Sequence, residues 1–208
     1  MIKLHGMTYS NYYNIVKTIL LEKGIAFEEV HILPNQEADY LLKSPMGKVP
    51  CIETSEGFIS ETSVIIDYLD ELGTGPSFFP EDTFQRAKIR ELMTHMELYI
   101  ELPARRLYGE VFFDRPSNAE EKKAVKPLLE KGFKALAKLA RFSPYLNGDS
   151  ITYADFYFRF TLSPARIVGK KVFDWDAYNE VPGVKGLMEL IDQRDSVKQV
   201  LADRAAGS

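Results

Sequence analysis

The chain carries one cysteine, Cys51, and one tryptophan in 208 residues. A lone cysteine excludes an internal disulfide framework and agrees with a reducing compartment. Histidine is scarce as well. His5, His31 and His95 stand far apart, without the clustered spacing a zinc site needs, and no metal is expected. No apolar run reaches the roughly 20 residues that a membrane-spanning helix requires. The opening Met-Ile-Lys-Leu-His reads directly as strand, so no signal peptide is expected and the chain is placed in the cytoplasm. Nor is there an excess of positive charge: 26 Lys and Arg against 30 Asp and Glu leave −4. Scattered basic residues on a mildly acidic chain argue against a nucleic-acid surface. Internal repeats and low-complexity tracts are absent. What remains is a chain able to bury a substantial core, in one large or two small domains.

The order of elements is the first positive signal. Ile2 to His5 reads as a short strand and Gly6 to Tyr9 as a turn. Ser10-Asn11 open a helix running to about Lys23, with Ile15, Val16, Ile19 and Leu20 as its apolar stripe and Gly24 just beyond its end. Ala26 to Ile32 is a second strand, and Leu33 to Lys43 holds a weak helical turn. Cys51 to Ser60 reads as two short strands around a turn at Ser55 to Gly57. A helix follows, with Val64, Ile65, Tyr68, Leu69 and Leu72 at helical spacing. This β-α-β-α-β-β-α order fits a small mixed sheet with helices on its faces.

Gly73-Thr-Gly-Pro-Ser-Phe-Phe-Pro is the clearest boundary. Beyond it the pattern is helical throughout. Thr83 to about Phe113 is one run that Pro103 should bend or break. Asn118 to Phe142 is another, where Pro127 marks a kink or a late start. Thr152-x-x-Asp155 reads as a capping box, flanked by Ile151 and Phe156 at hydrophobic-staple positions. It is a folding device with no chemistry in it. The tail from Ala202 looks frayed. The expected division is an α/β domain over 1–73, a linker over 74–81 and an all-helical domain over 82–208.

The informative stretch for function is residues 44–69, SPMGKVPCIETSEGFISETSVIIDYL. Pro50 pushes Val49 toward extended geometry, so Val49 can offer its backbone N–H and C=O to a short peptide. The start of the next helix offers unpaired N–H groups to a carboxylate. The same residues also fit an ordinary hairpin followed by a helix capped by Thr62 or Ser60.

The order Pro-x-Gly-Lys-Val-Pro, then a hairpin, then Glu-Thr-Ser before Ile-Ile-Asp-Tyr-Leu, resembles the glutathione-binding signature of the cytosolic glutathione transferases. The capping box at Thr152 to Asp155 is similar to the one that family carries before its buried helix. The resemblance implies an N-terminal thioredoxin-like domain and a C-terminal helical bundle. It also implies a homodimer, with glutathione as co-substrate and no metal. Val49 would pair its backbone with the cysteinyl unit, next to a cis Pro50. Glu61 and Thr62 would hold the γ-glutamyl end, while Lys48, with Asn35 or Gln36, would face the glycine carboxylate.

Ser10, counted from Gly6, matches the place where serine-type transferases carry the hydroxyl that activates the thiol. Its other reading is a plain N-cap. Tyr9, Asn11 and Tyr12 share the loop and compete for the role. His5 to Met7 stand where tyrosine-type classes place their catalytic residue, and the cysteine of omega-like members is missing. Cys51, after Pro50 in an apolar strand, reads as inert core. Tyr9, Tyr12, Met96, Tyr99, Arg105, Tyr108 and Phe112 are candidates to line a second-substrate cleft between the domains. The expected reaction is attack of the glutathione thiolate on a small, mainly apolar electrophile. Two alternatives stay open. One is glutathione-dependent reduction of disulfides or peroxides, which Asn11 keeps open. The other is a non-catalytic partner-binding protein on the same scaffold, although such proteins tend to lose the glutathione contacts present here. Maleylacetoacetate isomerase activity is disfavoured, because its Ser-Ser-Cys-like loop is missing.

Overall fold

A computed structural model of the chain describes residues 1–207. Contacts divide it into two units. One is Met1–Phe79 together with the segment from Asp192 onward, and the other is Pro80–Ile191.

The first unit is built on a four-stranded sheet in the order β2-β1-β3-β4. The strands are β1 (Ile2–Gly6), β2 (Phe27–His31), β3 (Cys51–Glu53) and β4 (Phe58–Ser60). β1 runs parallel to β2 and antiparallel to β3, and β4 is antiparallel to β3. A parallel pair needs a crossover, and α1 (Asn11–Glu22) supplies it. Its expected stripe is present: Ile15, Val16, Ile19 and Leu20 are fully buried. Helix α2 (Ala38–Leu41) is a single turn, and α3 (Thr62–Glu71) packs against α1. The buried face of α3 is Thr62, Ile65, Ile66 and Leu69. Val64 and Leu72, expected in that stripe, are exposed instead. The cap of α3 also differs from expectation. The N-cap is Glu61, at φ 68°, with no side-chain capping bond, where Ser60 or Thr62 was expected.

The helical unit is assembled around α8 (Tyr153–Phe173), which packs against α4 (Thr83–Met96), α5 (Leu102–Arg105), α6 (Tyr108–Phe112) and α7 (Ala119–Leu139). A helix apolar on most of its faces belongs at a centre. Tyr153, Phe156, Tyr157, Phe158 and Phe160 are all buried. Both halves of its capping box are present. The Thr152 N–H and hydroxyl meet one Asp155 carboxylate oxygen at 2.7 and 2.8 Å, and Leu146 N–H meets the other at 2.9 Å. The long run from Thr83 is not one bent helix. A π-helical turn, Glu97–Glu101, interrupts it, and Pro103 sits in the first turn of α5. Pro127 lies inside a continuous α7. α9 (Val184–Asp192) closes this part of the chain.

The last helix, α10 (Asp195–Ala206), corrects the expectation of a frayed tail. By sequence position it was expected in the helical domain. By packing it belongs to the first unit, lying on α1. It buries Val197 and Val200 and is tied at its start by polar contacts. Glu22 at the end of α1 accepts a fork from Arg194, at 2.6 and 2.5 Å, and a hydrogen bond from the Ser196 hydroxyl. Burial works to raise the Glu22 carboxyl, but these donors outweigh it and hold it below the usual carboxylate range.

Candidate functional site

Sheet topology alone gathers the segments singled out in the sequence. His5 is opposite Cys51, and Cys51 is opposite Ser60. The chain leaving β1, the chain entering β3 and the chain leaving β4 therefore meet at one end of the sheet. These are the Met7 to Ser10 loop, Lys48 to Pro50, and Glu61-Thr62. Gly6 is also in register with His31, so the loop holding Asn35 begins at the same end.

The Met7 to Ser10 loop is fixed from inside. Ser10 N–H donates to Met7 carbonyl at 3.0 Å, and the buried Asn14 donates through Nδ2 to Thr8 carbonyl at 2.8 Å. Ser10 is the N-cap of α1, extended at φ −73° and ψ 120°, and its Oγ accepts the Tyr13 N–H at 3.2 Å. Asn11 is buried, Ser10 and Tyr12 are half-buried, and Tyr9 is exposed.

The approach to Val49 is held as firmly. Lys48 carbonyl accepts the Tyr40 hydroxyl at 2.8 Å and the Ser44 hydroxyl at 2.9 Å, and the Val49-Pro50 peptide is cis. Gly47 turns the chain at φ 63°, where a Cβ would fall 2.0 Å from the Asn35 carbonyl oxygen. Only glycine fits there without displacing backbone. Lys48 itself is exposed. Asn35 spends its side chain within its own loop: Nδ2 donates to Leu33 carbonyl and Oδ1 accepts Glu37 N–H. Its backbone N–H braces Gly47 carbonyl at 3.1 Å. Glu61 is exposed and Thr62 buried at the first turn of α3. Cys51 is fully buried, and burial pushes its thiol up to about 11, which keeps it protonated and unreactive.

In the helical unit, three of the five second-substrate candidates come together, while Met96 is fully buried. Arg105 reaches the fully buried Glu101 carboxylate through Nη2 at 2.5 Å and Nε at 3.2 Å, and Tyr108 hydroxyl joins it at 3.2 Å. The Arg105 guanidinium lies over the Tyr108 ring, and Phe112 meets that ring edge-on with centroids 5.1 Å apart. Tyr99 sits instead in the π-helical turn, against His95.

Sequence reasoning missed Tyr13, Asn14 and Glu101. Asn14 had no signal, because its partner is the carbonyl of Thr8 in an irregular loop. Glu101 had one: a carboxylate four residues before an arginine on a helical pattern. Among the described residues, no group of His, Cys, Asp and Glu has the geometry to hold a metal, and no helix is long and apolar enough to cross a membrane.

A thioredoxin-like sheet with its loops gathered at one end, followed by a helical bundle, defines the class. The match to family models agrees. Residues 4–77 match the glutathione S-transferase N-terminal domain and residues 104–204 its C-terminal domain. A glutathione S-transferase of Pseudomonas putida is 45% identical over 206 residues, covering 99% of this chain and 94% of that protein. The chain belongs to the glutathione S-transferase family, and it is an enzyme of that family. Solved structures of a glutathione transferase from Populus trichocarpa and a tau-class enzyme from Mangifera indica share the fold. Their TM-scores are 0.81 and 0.80, at 21% and 22% identity. Each alignment covers 99% of this chain, with 100% of the poplar chain and 94% of the mango chain.

Proposed function

We propose that the chain binds glutathione along Lys48 to Pro50 and uses Ser10 to hold its sulfur as a thiolate, for attack on a small, mainly apolar electrophile. The observation that carries this reading is the Ser10 hydroxyl at the head of α1, at the sheet end where Val49 and Thr62 also arrive. A hydroxyl can accept through its oxygen and still donate its one hydrogen. The bond from Tyr13 N–H therefore leaves the Ser10 proton for the sulfur.

The magnitudes suffice. A free thiol near pKa 8.5 is only a few per cent ionised at neutral pH, and lowering it to about 6.5 takes roughly 2.7 kcal/mol. A hydroxyl donating to the charged sulfur supplies about 1.5–3 kcal/mol. The N-terminus of α1 adds about 0.3–1 kcal/mol. Asn11, Tyr9 and Tyr12 flank the sulfur rather than ionise it. Thr62 takes the γ-glutamyl carboxylate with its hydroxyl and N–H, and Glu61 takes the ammonium. Lys48 faces the glycine carboxylate. Asn35 contributes indirectly, by bracing Gly47. Tyr99, Arg105, Tyr108 and Phe112 receive the electrophile, with Tyr108 and Phe112 as its aromatic wall. The protein works in the cytoplasm as a homodimer. The protonated Cys51 leaves the thiol chemistry to glutathione.

Calorimetry with glutathione, paired with turnover of an activated aryl halide, tests the assignment. Binding together with conjugate formation is the expected result. No heat at millimolar glutathione points to a scaffold protein, and turnover of disulfides alone points to a reductase.

A further inference from the structure

The first unit holds a chain of linked polar groups that the reaction above does not use, with Tyr13 and Lys17 buried and their carboxylate partners Glu29 and Asp203 reaching the surface. Tyr13 is 2% exposed, and its ring lies flush on the end of β1: a Cβ on Gly6 would fall 2.4 Å from the Tyr13 ring. The Tyr13 hydroxyl donates to Glu29 of β2. Lys17, one turn further along α1 and 2% exposed, donates to both Glu29 oxygens at 2.7 Å. The same ammonium pairs with Asp203 of α10 at 2.8 Å. At the end of that helix, Gly207 comes so close to Thr8 that a Cβ would lie 2.7 Å from the Thr8 hydroxyl. Thr8 is two residues from Ser10.

A buried ammonium is costly to hold unless carboxylates surround it, and here two do. The cluster spans three elements and meets the Ser10 loop twice, through Tyr13 N–H on Ser10 Oγ and through Gly207 against Thr8. We infer that Tyr13 is a positioning residue for Ser10, anchored through Glu29 and Lys17 to Asp203 of α10. The inference rests on Ser10 being the thiol-activating hydroxyl. The last helix then acts as a brace on the nucleophile loop. Removing the anchor lets the Tyr13 backbone, and with it the Ser10 oxygen, drift from the geometry that donates to sulfur.

The test is a pH titration of the thiolate absorbance of bound glutathione in six proteins: parent, Ser10→Ala, Tyr13→Phe, Asp203→Asn, Asp203→Glu and Arg194→Leu. Tyr13→Phe keeps the ring and loses the anchor. Asp203→Asn loosens the far end of the same chain. Arg194→Leu cuts the other tie of α10, at Glu22, about 18 Å along α1 from Ser10. The expected result is a thiol pKa raised by about half a unit to one unit in Tyr13→Phe and Asp203→Asn, with glutathione affinity little changed and restoration by Asp203→Glu. Arg194→Leu lowers the melting temperature and leaves the thiol pKa where it was. An unchanged pKa in Tyr13→Phe and Asp203→Asn, while Ser10→Ala raises it, overturns the brace and leaves Ser10 in place. An equal shift in Arg194→Leu overturns it too, because general loosening then explains the effect. An unchanged pKa in Ser10→Ala removes the Ser10 assignment and the brace together.

Discussion

The backbone N–H of Tyr13 donates to the Ser10 side-chain oxygen at 3.2 Å, so one hydroxyl caps α1 and keeps its hydrogen for another acceptor. The structural role and the chemical role proposed for Ser10 do not compete. They use opposite ends of the same O–H group.

Thr62→Val should weaken glutathione binding about tenfold, the loss of one charge-assisted hydrogen bond of about 1.5 kcal/mol. Thr62→Ser should stay within about twofold, because it keeps the hydroxyl. Calorimetric Kd values for the two variants check this. Equal affinities in Val and Ser would remove the hydroxyl from the site.

Gly47→Ala should destabilise the first unit by more than about 1 kcal/mol and lower glutathione affinity as well. The position needs φ 63°, and the added carbon meets a backbone oxygen that cannot move aside cheaply. Urea melts and calorimetry on the same sample measure both effects. A stable protein with unchanged affinity would mean the loop relaxes without moving Val49.

Asp155 gives a pH dependence with a definite sign. Burial raises its carboxyl from the ordinary 3.8 to about 6, against hydrogen bonds from Leu146 and Thr152 that pull it down. The folded state therefore holds this proton more tightly than the unfolded state does. Its contribution to stability is full below about pH 4 and is lost as pH rises through about 6. The destabilisation caused by Asp155→Ala should accordingly be largest near pH 4 and shrink by pH 6–7, by on the order of 2–3 kcal/mol. Chemical melts of parent and variant across that range measure the difference. A penalty that grows with pH would reverse the assignment.

Cys51 should resist alkylation in the folded protein at neutral pH and react once the chain is unfolded. The buried thiol is pushed up to about 11, so very little thiolate is present. Mass spectrometry after iodoacetamide treatment, with and without denaturant, distinguishes the states. Conjugating activity should survive the treatment of the folded enzyme.

The segments proposed to hold glutathione stand out in the sequence because they are local. Gly47, Val49, Pro50, Glu61 and Thr62 lie within one short stretch, and the spacing of turn residues and hairpin specifies them together. The order of strands and helices along the chain was legible for the same reason. The cluster around Lys17 was not, because its partners Glu29 and Asp203 come from separate elements and carry no periodic signal. The identity of α10 was obscured by the physics that holds it: Arg194, Ser196 and Asp203 bind through ion pairs and hydrogen bonds instead of a broad apolar stripe. The π-helical turn at Glu97–Glu101 was hidden because one inserted residue shifts helical spacing without changing composition. Glu61 as the cap of α3 was hidden too, since a positive φ at a glutamate is set by tertiary structure and not by preference.

The most direct measurement compares the pH titration of bound glutathione thiolate in the parent and in Ser10→Ala. The account predicts an apparent pKa near 6.5 in the parent and about 8.5 in the variant, with glutathione still bound. A variant that keeps the low value would contradict it, and would transfer the activating role to Asn11, Tyr9 or Tyr12.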